Sequence, residues 1–244
     1  MTLNELVYEL MTLYRPNMTV TDSLDERNFA HWIQATRAKL IKQRLDEGMR
    51  VPDEHWVQDL GAVQVNPIDS SVYNTIPSNK YMLRTVDTIP WTIHSKGDPG
   101  AFTRIGPADK LSVNFRQVTY DRALVSGNGK FNKDIIYAFI DGQYISLISG
   151  SNIHKQLTHI HIKGVFENPI EAYEFRYGTP YNWDYDYPVS VSLVNDMKNI
   201  IVSENFNLTL VPIDDKKTDS TDNVTKPFSN EEVNSINPNI RTRK

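Results

Sequence analysis

The chain has 244 residues, with 26 Lys and Arg against 30 Asp and Glu, which gives a formal net charge of -4. It contains no cysteine, and this excludes disulfide scaffolds, zinc fingers, iron–sulfur clusters and thiol nucleophiles. No run of about 18 apolar residues occurs, so we expect no transmembrane helix and no membrane partner. The mildly acidic charge does not indicate a chain dedicated to nucleic-acid binding.

Residues 1–50 carry two helical patterns. In the first, apolar residues recur every three or four positions, and Thr2 and Glu5 have the spacing of a capping box, in which each side chain accepts a hydrogen bond from the other residue's backbone N–H group. A second capping box at Ser23 begins a longer helix, which we expect to end at Gly48. The two patterns predict an N-terminal helical hairpin.

Residues 51–167 change to short strands separated by turns. The clearest pattern is the β-rich run 135–140, then Asp141 and Gly142, then a second β-rich run over 144–148. An Asp-Gly pair between two such runs favours a hairpin with a two-residue type I′ turn, because glycine tolerates positive φ. We therefore expect an antiparallel β module in this part of the chain.

Helical patterns return over residues 168–212. Asn168 followed by Pro169 is a typical helix start, and a second amphipathic helix follows over 188–204. Residues 213–244 lose apolar periodicity and predict an extended polar tail without a core of its own. The element order predicts an α+β fold, in which the N- and C-terminal helices form a helical bundle and the β module is an insertion into it.

The best candidate for metal chemistry is the pair His159 and His161. Residues two apart on a strand face the same side, so the two imidazoles could bind a divalent metal if a third ligand exists. The sequence does not identify that ligand, although His154 lies nearby and Glu167 or Glu171 could supply a carboxylate. The competing interpretation is that both histidines face solvent or a neighbouring subunit, while Ile160 and Ile162 face the core. We favour this interpretation and expect no cofactor.

A second candidate is the alternation of acids and aromatics over residues 184–187. Paired carboxylates can act in acid–base catalysis or bind calcium, and nearby aromatic side chains could stack on a sugar. The competing interpretation is a tyrosine-rich loop at a protein interface, where aromatic residues are enriched. The surrounding aromatic residues are Tyr173, Tyr177, Tyr181 and Trp183. No glycine-rich phosphate loop or nucleophile elbow occurs, so we predict a protein that is not an enzyme.

The second helix carries a basic face that allows two interpretations. It is either a solvated surface, or it contacts the phosphates of nucleic acid or an acidic neighbour in an oligomer. The candidate residues for a DNA channel or a subunit interface are Arg27, Arg37, Lys39, Lys42 and Arg44.

Several stretches of the sequence resemble structural proteins of crAss-like bacteriophages that infect Bacteroidales. In layout the chain is similar to the ring proteins that form the head–tail adaptor of short-tailed phages. The resemblance covers roughly residues 1–212 and is carried by the stretches 1–10, 21–27, 37–43, 89–90, 102–109, 129–132 and 210–212.

The resemblance implies a ring, expected to contain twelve copies, that lies under the portal. The extended C-terminal segment of each copy would reach onto the portal surface. The residues expected to dock on the portal are Pro227, Phe228, Ile236, Ile240, Arg241, Arg243 and Lys244. It further implies contacts with neighbouring tail or ring proteins, and with genomic DNA that passes without sequence-specific recognition.

We therefore predict a virion structural protein, made in the host cytoplasm, that acts as a portal-bound head–tail connector ring and extends the DNA channel from portal to tail. Other virion roles, as a head decoration, fibre or cargo protein, are the first alternative. A metal-dependent enzyme or a carbohydrate-binding module using the His159/His161 strand is the more distant one.

Overall fold

The computed structural model describes residues 1–14, 24–48, 53–68, 81–94, 102–109, 113–127, 129, 131–151 and 153–206. The helices are α1 (Leu3–Tyr14), α2 (Glu26–Asp46), α3 (Tyr120–Val125), α4 (Pro169–Tyr177) and α5 (Val191–Ile201). The strands are β1 (Gln58–Pro67), β2 (Met82–Thr85), β3 (Phe102–Pro107), β4 (Arg116–Gln117), β5 (Tyr137–Asp141), β6 (Tyr144–Ile148) and β7 (His159–Gly164).

The start of α1 confirms the predicted capping box. The backbone N–H of Thr2 donates to the Glu5 carboxylate over 2.9 Å, and the N–H of Glu5 donates to the Thr2 hydroxyl over 3.1 Å. Helix α2 begins later than predicted: Asp25 is its N-cap and accepts a hydrogen bond from Glu26. Ser23, the predicted cap, lies outside the described residues.

Helices α1, α2 and α5 pack against one another and form a layer on one side of the molecule. Their shared core also includes residues that flank the strands, namely Trp56, Ile93 and Val165. The helices therefore bury their apolar faces against the β region as well as against each other. The mixed α and β composition is as predicted, but a helical bundle carrying a separate β insertion is wrong.

The strands form one seven-stranded sheet in the order β3-β7-β1-β2-β6-β5-β4. Its two edges approach each other, because the N–H of Phe115, just before β4, donates to the carbonyl oxygen of Ile105 in β3 over 2.7 Å. The side-chain amide of Gln117 also donates to the carbonyl oxygen of Phe102 over 3.2 Å. The sheet is thus nearly closed and barrel-like. The largest group of its buried apolar residues includes Val63, Leu83, Ile105, Ala138, Leu147, Ile160 and Ile162.

The β5–β6 hairpin confirms the strongest strand prediction with a shift of one residue. Asp141 pairs with Tyr144, so the two-residue turn consists of Gly142 and Gln143 rather than of Asp141 and Gly142. Gly142 has a φ of 62°, as this kind of turn requires. The β region is not entirely antiparallel, because β4 pairs with β5 in parallel.

Helix α4 begins as predicted, whereas α5 begins at Val191, three residues later than the predicted start at 188. The Asn168 side chain accepts hydrogen bonds from the N–H groups of Ile170 and Glu171, and Pro169 opens α4. Helix α4 packs on β1, whereas α5 packs on α2. The described helices include none that is long and apolar enough to cross a membrane. The polar tail, residues 213–244, with all its predicted docking residues, lies outside the described part of the chain.

Candidate functional site

Arg37 lies in the protein interior rather than on the basic face of α2. Its side chain is 0% exposed, and its guanidinium donates to the carbonyl oxygens of Pro188 over 2.8 Å and Phe166 over 2.9 Å. A longer contact of 3.4 Å reaches the carbonyl oxygen of Trp56. Burial lowers the pKa of this guanidinium from its ordinary value. In this conformation Arg37 cannot touch DNA or a neighbouring subunit. The prediction that Arg37 lies on the exposed basic face of α2 is therefore wrong.

The remaining basic candidates of α2 fall into two groups. Lys39 forms an ion pair with Glu204 at 2.6 Å, and Arg44 forms one with Asp196 at 2.9 Å. Both pairs connect α2 to α5 or to the turn that follows it, so these two charges are partly neutralised within the chain. Arg27 and Lys42 are exposed on the outer face of the helix. Their roles in a DNA channel or an interface stay predictions.

The two histidines of β7 have different surroundings. His159 is exposed at the start of the strand, and one ring nitrogen lies 3.1 Å from the Thr158 hydroxyl. His161 is 2% exposed, and its Nε2 lies 2.9 Å from Oδ1 of Asp59. The interpretation that both histidines face outwards therefore holds for His159 alone.

Asp59 is held in place by a β-bulge in β1. The register of β1 against β7 shifts between Asp59 and Gly61, and Gly61 has a φ of 78°. The N–H of Gly61 donates to Oδ1 of Asp59 over 2.7 Å. Burial acts to raise the pKa of the Asp59 carboxyl, but the Gly61 N–H and His161 outweigh it and hold that pKa below its usual value. This arrangement fixes a partly exposed carboxylate against a buried imidazole.

The geometry gives no support to a metal centre in the part of the chain that is described. Within those residues, no group of three or more His, Asp or Glu side chains is placed to hold a metal ion. His154, the possible third ligand, is buried elsewhere, with its Nε2 2.7 Å from the carbonyl oxygen of Tyr81. His161 is already paired with Asp59, so the histidines do not converge on a common point.

Four tyrosines come together on the surface where α4 ends, and we call them the tyrosine cluster: Tyr173, Tyr177, Tyr181 and Tyr185. Around Tyr173, the ring centroids lie 4.5 Å from Tyr177, 5.2 Å from Tyr181 and 5.6 Å from Tyr185. The Tyr177 and Tyr185 side chains remain 53% and 47% exposed. The cluster is therefore an ordered aromatic surface with half-exposed rings.

Backbone and side-chain hydrogen bonds fix the loop that carries the cluster. Gly178 ends α4 with a φ of 64°, and the Tyr181 hydroxyl donates to the carbonyl oxygen of Tyr185 over 3.0 Å. Burial and the nearby carboxylate of Asp186 raise the pKa of Tyr181 to about 12. Tyr181 is thus a neutral hydrogen-bond donor at physiological pH and cannot serve as a base there.

The chain's N-terminus also ties down this loop. Asn4 donates its side-chain amide to Asp184 over 3.1 Å, and its backbone N–H bonds the carbonyl oxygen of Trp183 over 3.1 Å. Thr2 forms an isolated antiparallel bridge with Asp186. The acidic side chains at 184 and 186 therefore stand on an ordered support and stay exposed beside the tyrosine cluster.

Two parts of this arrangement were not predicted from the sequence. The Asp59 partner of His161 depends on a bulge and on the register of two distant strands. The burial of Arg37 had a visible signal, because Arg37 lies four residues after Ile33 and four before Ile41, on the apolar side of α2.

The described features are an exposed aromatic and acidic surface and a basic helix face, on a nearly closed sheet with a helical layer. The family of phage tail ring protein 2, from crAss-like phages, matches residues 5–224. The chain belongs to this family. No curated protein matches this chain. Family membership makes the chain a structural component of the phage virion that assembles as a ring with other tail proteins.

Proposed function

We propose that this protein forms the portal-bound head–tail connector ring and extends the DNA channel from portal to tail. The family match over residues 5–224 is the observation that carries the proposal, because it defines a tail ring protein. The portal is the partner that a ring at the top of the tail would meet. The ring would contain twelve copies and would be assembled in the host cytoplasm before it becomes part of the virion.

Exposed apolar side chains among the described residues support a role in assembly. Large apolar side chains remain exposed in three segments of the chain, with Phe131 at 89%, Val125 at 69% and Ile153 at 57%. The segments that carry them approach one another, because the N–H of Ser151 donates to the carbonyl oxygen of Lys133 over 2.8 Å. The buried apolar residues of α3, β5 and β6 form a group of their own, and this part of the sheet is the surface that would contact a second protein ring. Exposed apolar patches of this kind mark protein interfaces.

The composition of the tail supports a docking role for residues 213–244. A polar segment that can bury little apolar surface of its own is suited to bind along the surface of another protein. Removal of residues 213–244 should abolish portal binding while leaving the thermal unfolding of the remaining chain unchanged. A control chain carrying a scrambled tail of the same composition separates specific docking from a general charge effect. Portal binding by the truncated chain at full affinity would contradict the docking role.

The charge of the chain supports a channel that lets DNA slide. A net charge of -4 for each copy, repeated around a ring, does not favour tight binding of phosphates to the wall. Any contacts by exposed lysines and arginines would be independent of sequence.

The test of the proposal is native mass measurement of the purified chain mixed with the purified portal. A complex of twelve copies on the portal is the expected result. A chain that forms no ring and no complex with the portal would contradict the function, and a ring that binds another tail protein but not the portal would correct its position.

A further inference from the structure

A closed ring of more than two copies requires two different surfaces on each copy. Each subunit contacts the next one head to tail, so the surface that faces one neighbour differs from the surface that faces the other. The two surfaces must be complementary to each other. The described residues contain two exposed surfaces whose chemistry is complementary in this sense.

The first surface combines the tyrosine cluster with two carboxylates. Tyr177 and Tyr185 expose about half of each side chain, and the Asp186 carboxylate is 95% exposed. Asp184 is also exposed, and its orientation is fixed by the amide of Asn4. Aromatic rings bordered by carboxylates are suited to bind guanidinium and ammonium groups through cation–π contacts and ion pairs.

The protein already uses one ring of this surface in that way. The Arg176 guanidinium lies over the Tyr177 ring, 4.9 Å from its centroid. The same arginine donates to the carbonyl oxygen of Asp59 over 2.9 Å, so it is turned toward its own chain. The opposite side of the cluster, with Tyr185 and the two carboxylates, carries no cation among the contacts of the described residues apart from the terminal amine at 3.6 Å from Asp186.

The second surface is the outer face of α2, which we call the α2 stripe. It consists of Arg27, His31, Ala35, Ala38 and Lys42, spaced by three or four residues and therefore on one side of the helix. It extends for about 22 Å along the helix axis. Arg27, His31, Ala35 and Lys42 are exposed, and the small alanines in the middle leave room for flat aromatic rings.

The two surfaces belong to different elements of the fold. The α2 stripe lies on the side of α2 opposite most of its buried residues, although its half-buried Ala38 also packs against the helical core, whereas the tyrosine cluster lies where α4 ends, and α4 packs on β1. Both are held by one core, against which Ala38 and Tyr181 pack, but their exposed residues lie on different elements. The separation leaves both available to neighbouring copies at the same time.

We propose that the tyrosine cluster of one copy, with Asp184 and Asp186, binds the α2 stripe of the next copy as the repeated contact of the ring. This proposal rests on the ring assembly proposed above. In the contact, the tyrosine rings lie on the alanines of the stripe, and the terminal cations of the stripe meet the carboxylates. The occupant of the surface is a second copy of this chain.

The test uses two double variants that each remove one surface. Tyr177→Ala with Tyr185→Ala removes the aromatic half, and Arg27→Ala with Lys42→Ala removes the cationic half. Each should weaken association at least about tenfold and leave monomers at concentrations where the unchanged chain forms rings. The matched controls are Tyr8→Ala and Arg122→Ala, which alter exposed residues outside both surfaces and should leave the rings intact.

A mixture of the two double variants gives a sharper result. Each mixed pair retains one intact contact, formed by the cluster of one variant and the stripe of the other, and the other contact is broken. Native mass measurement should therefore show a one-to-one dimer in the mixture and monomers in each variant alone. Rings in either variant alone, or no dimer in the mixture while both variants unfold at the temperature of the unchanged chain, would overturn the proposal.

Exchanging the charges of the two surfaces tests the contact with variants that keep a long charged side chain at each position. A chain with Arg27→Glu and Lys42→Glu should be monomeric, and adding Asp184→Lys and Asp186→Lys to the same chain should restore the ring. Assembly is measured with and without the portal. An unchanged chain that stays monomeric in both conditions contradicts the connector function itself. Rings that survive all these substitutions contradict only the assignment of the two surfaces.

Discussion

The Arg37 guanidinium donates a hydrogen bond to the carbonyl oxygen of Phe166 over 2.9 Å, across a separation of 129 residues. The same side chain binds the carbonyl oxygen of Pro188, which precedes α5. A single buried cation thus connects α2 to the end of the β region and to the start of the C-terminal helix. This connection fixes the helical layer against the end of the β region.

We expect the substitution Arg37→Ala to lower the free energy of unfolding by about 4 kcal/mol, because it leaves buried carbonyl oxygens without donors and creates a cavity. Arg37→Lys should lose roughly half as much, since an ammonium cannot replace the guanidinium geometry. Arg122→Ala, an exposed cation on α3 outside both proposed contact surfaces, is the control and should change stability by less than about 0.5 kcal/mol. Urea denaturation followed by circular dichroism measures all three, and equal stability of Arg37→Ala and the unchanged chain would refute the role of this side chain.

The pairing of Asp59 with His161 predicts a dependence of stability on acid pH. The pKa of Asp59 is lower in the folded protein than its ordinary value of about 3.9, so the ionised carboxylate stabilises the fold above about pH 4. This stabilisation is lost as the pH falls through the lowered pKa. The variant Asp59→Asn should therefore be less stable at pH 7 by about 1–2 kcal/mol, with the difference shrinking below pH 4.

This effect is measured by thermal unfolding of the unchanged chain and of Asp59→Asn, from about pH 2 to about pH 7. The control is Asp134→Asn, at an exposed carboxylate in a turn. A difference between the unchanged chain and Asp59→Asn that stays constant down to pH 2 or grows on acidification would count against the stabilising contact.

The capping box at the start of α1 predicts that substitutions at Thr2 and Glu5 lower the free energy of unfolding in a non-additive way. Thr2→Ala and Glu5→Ala should each cost about 1 kcal/mol of unfolding free energy, and the double variant should lose less than the sum because the two hydrogen bonds support each other. Thr12→Ala is the matched control inside the same helix, where alanine is the better helix former and no loss is expected. Additive effects of Thr2→Ala and Glu5→Ala would show that the two caps act independently.

The backbone conformations of two glycines predict different losses of stability when each is replaced by alanine. Gly142 has a φ of 62°, so Gly142→Ala should destabilise the protein by about 1 kcal/mol. At Gly129 the φ is not in the left-handed region, and the nearest atom to an added Cβ is Nδ2 of Asn132 at 3.9 Å. Gly129→Ala should therefore have almost no effect. Equal effects in thermal unfolding of the two variants would contradict the turn assignment.

Local hydrogen bonding explains which parts of the fold could be predicted from the sequence. The caps at Thr2 and Asn168 involve residues two or three positions apart, so their spacing is visible in the chain itself. The β5–β6 hairpin is also local, but its register is decided by which side chains are buried. Ile140 pairs with Ile145, and this moves the turn one residue beyond the predicted Asp-Gly pair.

Long-range pairing explains what could not be predicted. The contact between Asp59 and His161 requires the antiparallel pairing of β1 with β7 and a bulge before Gly61, and no local pattern encodes either. The closure of the sheet depends on the approach of Ile105 and Phe115 from its two edges. The tyrosine cluster was visible as a composition, but its exposure follows from how α4 and the N-terminus hold the loop.

Electron microscopy of the purified chain, alone and with the purified portal, is the most direct test of the central claim that this chain is a portal-bound ring. The account predicts closed rings of uniform size with twelve-fold symmetry that stack coaxially on the portal. A chain that remains monomeric or forms open filaments, and that leaves the portal bare, would contradict it.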